Sequence, residues 1–142
     1  MIRVVTDSTC DLPAELLLKY GITVVPLSIR FGQETFRDGV TIDKPMLYER
    51  LYRDGIIPTT SQPSAGEFVE VYRTVTDEGD SILSIHISHE LSGTCQAAQI
   101  ASSMLPEMDI HIFDTRSVSA GIGFMALEAA RRAEAGWDAE HI

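Results

Sequence analysis

Ser84-Ile85-His86-Ile87-Ser88-His89-Glu90-Leu91-Ser92-Gly93-Thr94-Cys95-Gln96 is the stretch from which the rest of the chain is read. The apolar run Ile82, Leu83, Ile85 and Ile87 enters it with the pattern of a buried strand. A helical pattern leaves it through Ala97, Ala98, Ile100, Ala101, Met104 and Leu105, and Pro106 stops it. The loop between them ends in Ser92-Gly93-Thr94. A helix that starts there offers free backbone N–H groups and the positive end of its dipole. Gly93 permits close approach of the backbone, and Ser92 and Thr94 add hydroxyl donors. The corner suits a small anionic group, a carboxylate above all. The same hydroxyls would also serve as a plain helix cap.

The pattern repeats on both sides of this stretch. Ile2 to Thr6 reads as a buried parallel strand, followed by the loop Asp7-Ser8-Thr9-Cys10-Asp11. Asp11 is the expected cap of a helix that contains Pro13, Leu16, Leu17 and Tyr20 and ends at Gly21. Ile22 to Phe31 reads as one strand with an edge or bulge at Pro26, and Phe31 to Phe36 as a turn into a hairpin arm. Asp43 caps a helix to Asp54, and Ser64 with Glu67 forms a capping box for a helix over about 65–76. Between these two helices lies Pro58-Thr59-Thr60-Ser61-Gln62-Pro63, a stiff, hydroxyl-rich loop. Asp109 to Phe113 is a further strand, and a helix rich in small residues follows from about Ser119 to Ala135. Trp137 to Ile142 has the pattern of a capped helix start.

This alternation predicts an α/β fold with a mainly parallel sheet flanked by helices. Right-handed crossovers place the strand-to-helix loops on one edge, where ligands of such folds bind. Ser8, Ser88 to Thr94 and Thr115 to Ser117 fall on that edge, and Thr59 to Ser64 can join them. Several neutral donors converging there can bind a carboxylate without a cation, at about 1.5–3 kcal/mol for each hydrogen bond to the charged group.

Composition narrows the classes. With 142 residues, 44% apolar and 23% charged, the chain has the make-up of one globular domain. A net charge of −10 argues against nucleic acid and anionic membrane surfaces. No apolar run approaches the roughly 18 residues of a membrane span. Cys10 and Cys95 form no metal or disulfide motif and fit a reducing compartment, so the cytoplasm is expected.

Sharper chemistries compete with the carboxylate reading. Ser92 would be a nucleophile if His86, His89 or His111 served as its base, which defines a serine hydrolase, and a histidine phosphotransferase would use the same loops. No Gly-x-Ser-x-Gly elbow is present. His86, His89 and Glu90 lack the His-Glu-x-x-His order, and no metal site or cofactor is expected. Asp7, Asp11 and Asp114 could suggest magnesium, but a cap and a turn account for two of them. Gly121-Ile122-Gly123-Phe124-Met125-Ala126 matches a dinucleotide fingerprint in letters but lies away from its strand, so close packing explains it better. With Ala120, Ala126, Ala129 and Ala130 it gives a smooth helix face that could line an acyl channel.

Three motifs resemble the DegV family of bacterial fatty-acid-binding proteins: Val5-Thr6-Asp7-Ser8-Thr9-Cys10-Asp11-Leu12-Pro13, Thr59-Thr60-Ser61-Gln62-Pro63-Ser64, and Leu91-Ser92-Gly93-Thr94-Cys95-Gln96-Ala97-Ala98. Val25-Pro26-Leu27, Asp38-Gly39 and the Asp114 to Gly123 stretch fit the same order, though Cys95 stands where the pattern usually has an aromatic residue. The resemblance implies a two-lobed protein that buries a long-chain fatty acid and presents its carboxylate to a separate fatty acid kinase, without catalysis of its own. It implies Thr60 and Ser92 as carboxylate ligands, with Thr59, Ser61, Gly93, Thr94 and Ser8 in support. On this expectation residues 1–136 form the N-terminal lobe and 137–142 begin a second one that carries further basic ligands. An apolar half-site left open would favour a homodimer.

Overall fold

β-Branched Ile2–Asp7 (β1) takes an interior place in a parallel sheet, because both of its faces are apolar. A computed structural model describes residues 1–142. β1 pairs with Thr23–Val25 (β2) on one side and with Ser81–His86 (β6) on the other; Asp109–Asp114 (β7) completes the order β2-β1-β6-β7. Alternate residues feed opposite cores. Val4, Leu83 and Ile85 pack with Ile122, Ala126, Ala129 and Ala130 of Ala120–Glu134 (α5). Val5 and Ile82 pack on the other side with Phe68 and Tyr72 of Ala65–Val75 (α3) and Ala97, Ala98 and Ala101 of Thr94–Ser103 (α4). The predicted α/β architecture, a parallel sheet between helical layers, is the observed one.

Local signals set the helix ends. Asp43 accepts from Met46 N at 2.8 Å at the start of Lys44–Asp54 (α2), and left-handed Gly55 (φ 63°) ends it. The Ser64/Glu67 capping box opens α3 in both directions. Asp11 does not cap Ala14–Lys19 (α1): Pro13 occupies that position without a side-chain cap. Asp11 instead ends a short 3₁₀ turn over Ser8–Cys10 in a left-handed conformation. Its carboxylate is claimed by Lys44 and Ser119, each at 2.6 Å. At the C-terminus, Asp138 Oδ1 accepts from His141 N at 3.1 Å and Asp138 O accepts from Ile142 N at 3.2 Å, a capped turn with the bonding of a helix start.

The run Ile22 to Phe31 is not one strand. It divides at Pro26-Leu27, which lies between β2 and Ser28–Phe31 (β3), and β3 leaves the parallel sheet altogether. β3 is the centre of a second, antiparallel sheet with Glu34–Arg37 (β4) and Thr59–Ser61 (β5), in the order β4-β3-β5. Ile29, Phe31 and Ile42 form its small core with Phe36 and Leu47. The hydroxyl-rich loop of the sequence is thus a strand at its centre.

Candidate functional site

Under the carboxyl edge of the parallel sheet lies a polar cluster with no exposed side chain. Asp7, Ser84, His86 and Tyr72 are each fully buried. Asp7 Oδ2 accepts from His86 Nδ1 at 3.0 Å and from Ile87 N at 3.1 Å, while its Oδ1 accepts from Thr9 N at 3.0 Å and from the Thr9 hydroxyl. His86 Nε2 lies 2.7 Å from Ser84 Oγ, which lies 2.8 Å from Tyr72 OH. A neutral imidazole satisfies every atom: Tyr72 donates to Ser84, Ser84 to Nε2, and Nδ1–H to Asp7. Burial alone would raise the Asp7 pKa, but the His86 ring, the Thr9 hydroxyl and the Ile87 N–H outweigh it and hold the carboxyl below its ordinary value. Burial pushes the Tyr72 phenol up.

Asp, His and Ser in this order resemble a hydrolytic relay, but Ser84 has no exposed surface and its oxygen is held between His86 and Tyr72. The cluster's effect is mechanical. One carboxylate fixes the backbone at Thr9 and at Ile87, so two loops of the edge share an anchor. The third loop joins through Thr115, whose N–H and hydroxyl both donate to His86 O, and through Ser88 N, which donates to Ser117 O at 3.0 Å.

Above this anchor the donors are less committed. α4 starts at Gly93 with no side-chain cap hydrogen bond. Ser92 Oγ lies 2.9 Å from Thr94 Oγ1 and only 3.3 Å from Thr94 N. The capping alternative therefore accounts for one long hydrogen bond at most. Gly93 is the point of contact with the second sheet: a Cβ there would stand 2.4 Å from Gln62 Oε1 and 2.6 Å from Nε2. Gln62 directly follows β5. The side chain two positions after Thr60 thus rests on the residue that follows Ser92, although Thr60 and Ser92 are 32 positions apart in the sequence. Pleating separates the three hydroxyls of β5. Thr60 pairs with buried Ile29 and takes that side, whereas Thr59 pairs with Arg30 and Ser61 with Ser28 on the other. Ser8 is engaged elsewhere, accepting from Leu27 N at 3.0 Å.

None of the three candidate histidines reaches Ser92. His86 is held as described, His89 Nδ1 pairs with Asp114, and His111 Nε2 lies 3.0 Å from Asp109. No group of three or more His, Cys, Asp or Glu side chains is placed to hold a metal ion. Cys95 lies buried beneath the loop, its thiol pointing at Ile87 O, and burial pushes its pKa up to about 12. The glycines of α5 are packing residues: a Cβ on Gly123 would stand 2.6 Å from Cys10 O, and one on Gly121 2.0 Å from Ser117 Oγ. Ala126, Ala129 and Ala130 are buried in the core while Ala120 is exposed, and the open apolar surface of α5 lies beside them, with Ala129 at its floor. Phe124 and Met125 form it with Phe113 and Ile142 around a recess of about 510 Å³. Sequence reasoning missed both the Asp7–His86 bond and the Gln62–Gly93 contact; a paired Asp and His in the first and sixth strands was the available sign of the former.

Comparison with known proteins follows the same lines. The model of the DegV family, described as an uncharacterised protein family, matches residues 1–142. A DegV domain-containing protein of Clostridium perfringens is 43% identical over 141 residues, covering 99% of this chain and 50% of the relative. A DegV family protein of Thermus thermophilus, whose structure is described in terms of fatty acid binding, superposes with a TM-score of 0.88 at 40% identity, covering 99% of this chain and 50% of that one. A stearic acid-binding protein of Eubacterium ventriosum gives 0.90 at 30% identity, with the same coverage. The chain spans about half the length of the relatives it matches.

Proposed function

The chain belongs to the DegV family, and from that membership we propose that it is a lipid-binding module that grips the carboxylate of a long-chain fatty acid with Thr60 and Ser92. The contact between Gln62 and Gly93 carries this reading, because it sets the end of β5 against the uncapped start of α4. Half-buried Ser92 supplies a hydroxyl, fully buried Thr94 holds that hydroxyl from beneath at 2.9 Å, and the first turn of α4 supplies N–H groups and dipole. Two hydrogen bonds to a carboxylate contribute about 1.5–3 kcal/mol each, enough to orient the headgroup. Thr59 and Ser61 flank Thr60 on the opposite pleat and Ser8 accepts from Leu27 N, so in this reading all three support the grip rather than touch the headgroup.

In the whole protein the module presents the acid to a separate fatty acid kinase in the cytoplasm and catalyses nothing itself. The absence of any base beside Ser92 supports this division of labour. The open apolar surface at Phe113, Phe124 and Met125 is then covered by the partner lobe or by a second copy. The test is equilibrium binding of stearic acid to the chain and its variants. Thr60→Ala and Ser92→Ala are each expected to weaken binding about tenfold or more, the loss of one charged hydrogen bond. Unchanged affinity in both variants would refute the assignment.

A further inference from the structure

The outer face of the antiparallel sheet holds a basic residue in unusual company. Arg30 occupies the central strand, with Thr35 of β4 and Thr59 of β5 directly opposite on either side. One pleat further along the same face are Ser28 and Ser61. These residues and the strand Thr59–Ser61 line a recess of about 470 Å³ that contains no carboxylate and no apolar side chain. Arg30 is exposed, and no hydrogen bond or ion pair engages its guanidinium, in a chain with 21 acidic and 11 basic residues. Arg3, Arg37, Arg50, Arg53 and Arg132 pair with acids; Arg73 and Arg116, like Arg30, do not, and what sets Arg30 apart is the ring of hydroxyls around it. Threonine is an ordinary strand residue, and here its placement on both sides leaves the Arg30 guanidinium flanked by hydroxyls alone. Arg37 stands in the Ser28 row, but Glu67 takes it up at 2.6 Å.

We propose that this face is a binding site for a phosphoryl group, with Arg30 as its charged fork and Thr35, Thr59, Ser28 and Ser61 as the surrounding donors. A planar guanidinium gives two parallel N–H bonds to a phosphate, and hydroxyls on both flanks match the remaining tetrahedral oxygens. A carboxylate, with two oxygens in one plane, leaves most of this set unused. The chain's overall negative field opposes the anion, so recognition is local and short-ranged. The two proposed sites adjoin along β5, since Thr59, Thr60 and Ser61 all line the recess; Arg30 itself stands opposite Thr59, whereas Thr60 pairs with buried Ile29.

The experiment is a titration of the ¹⁵N-labelled chain with inorganic phosphate at constant ionic strength, with chloride as the control anion. Saturable shifts are expected at Arg30, Thr35 and Thr59. Arg30→Gln should weaken phosphate binding at least tenfold, and Arg30→Lys should fall between, because it keeps charge and loses the fork. An alkyl phosphate forms the second arm: tighter binding than inorganic phosphate assigns the group to a lipid, and equal binding assigns it to a free phosphate compound. Shifts that match chloride, or that survive Arg30→Gln, overturn the proposal. Stearic acid binding, read in parallel, should be unchanged by Arg30→Gln, so a failed phosphate site and a failed carboxylate grip give different results.

Discussion

The buried cluster Asp7–His86–Ser84–Tyr72 and the open loops at Thr60 and Ser92 are made from the same kinds of side chain, yet they behave in opposite ways. In the first, every donor meets an acceptor within the protein, and no atom is left for a ligand. In the second, α4 begins without a side-chain cap, and the hydroxyls mostly meet one another. Buried polar groups must be satisfied at home, whereas exposed ones can wait for a partner. The difference separates support from proposed recognition: the cluster anchors the loops of the sheet edge, and the less committed hydroxyls are the ones assigned to the ligand.

Removing the anchor should have the largest effect. Asp7→Ala leaves the His86 Nδ1–H and two backbone N–H groups without an acceptor, and a loss of about 3–5 kcal/mol is expected in urea unfolding. The pH dependence gives the sign. Because the folded pKa of Asp7 is depressed, its contribution is complete above the ordinary carboxylate range and fades as pH falls through the folded value. Wild-type stability should therefore drop more steeply in acid than that of Asp7→Asn, and the gap between them should narrow below about pH 4. Equal slopes would break the distinction between a charged anchor and a neutral one.

Gly123→Ala comes next. Its methyl would press on Cys10 O and Leu12, and a cost of about 1–3 kcal/mol is expected by thermal or urea unfolding, with acid binding intact in the folded fraction. Tyr72→Phe removes one donor at the end of the relay while Ser84 can still donate to His86, so about 1 kcal/mol is expected from the same measurement. Gly93→Ala sharpens the contrast most. Its φ of −76° suits alanine, and the Gln62 carboxamide can swing aside, so stability should stay within about 0.5 kcal/mol. Stearic acid affinity should nevertheless fall, because the displaced carboxamide no longer holds the end of β5 against the start of α4. A variant that unfolds instead would show that this contact supports the fold.

The hydroxyl motifs at Thr59 to Ser64 and Leu91 to Ala98 were legible in the chain, and so was the edge on which the second would lie. Their mutual arrangement was not. Ser-Gly-Thr between an apolar run and a helical pattern announces a loop of free donors, but nothing local states that Gln62 will rest on Gly93. Thr59 to Ser61 carries no apolar alternation, so its pairing with β3 had no signature of its own. Pro26 marked a break, but whether the chain would bulge or leave the sheet depended on what waited to pair with it.

What the sequence settled is what neighbours settle. The Asp43 cap, the Ser64/Glu67 box, the Gly55 terminus and the alternation of strand and helix depend on residues a few positions apart, and their chemistry is complete within the segment. The tertiary structure decided the long-range pairings. His86 meets Asp7 across 79 positions, and Asp11 gives up its helix for Lys44 and Ser119, 33 and 108 positions away. A buried donor or acceptor takes whatever partner the packed core brings within 3 Å, and that choice exists only once the layers have closed.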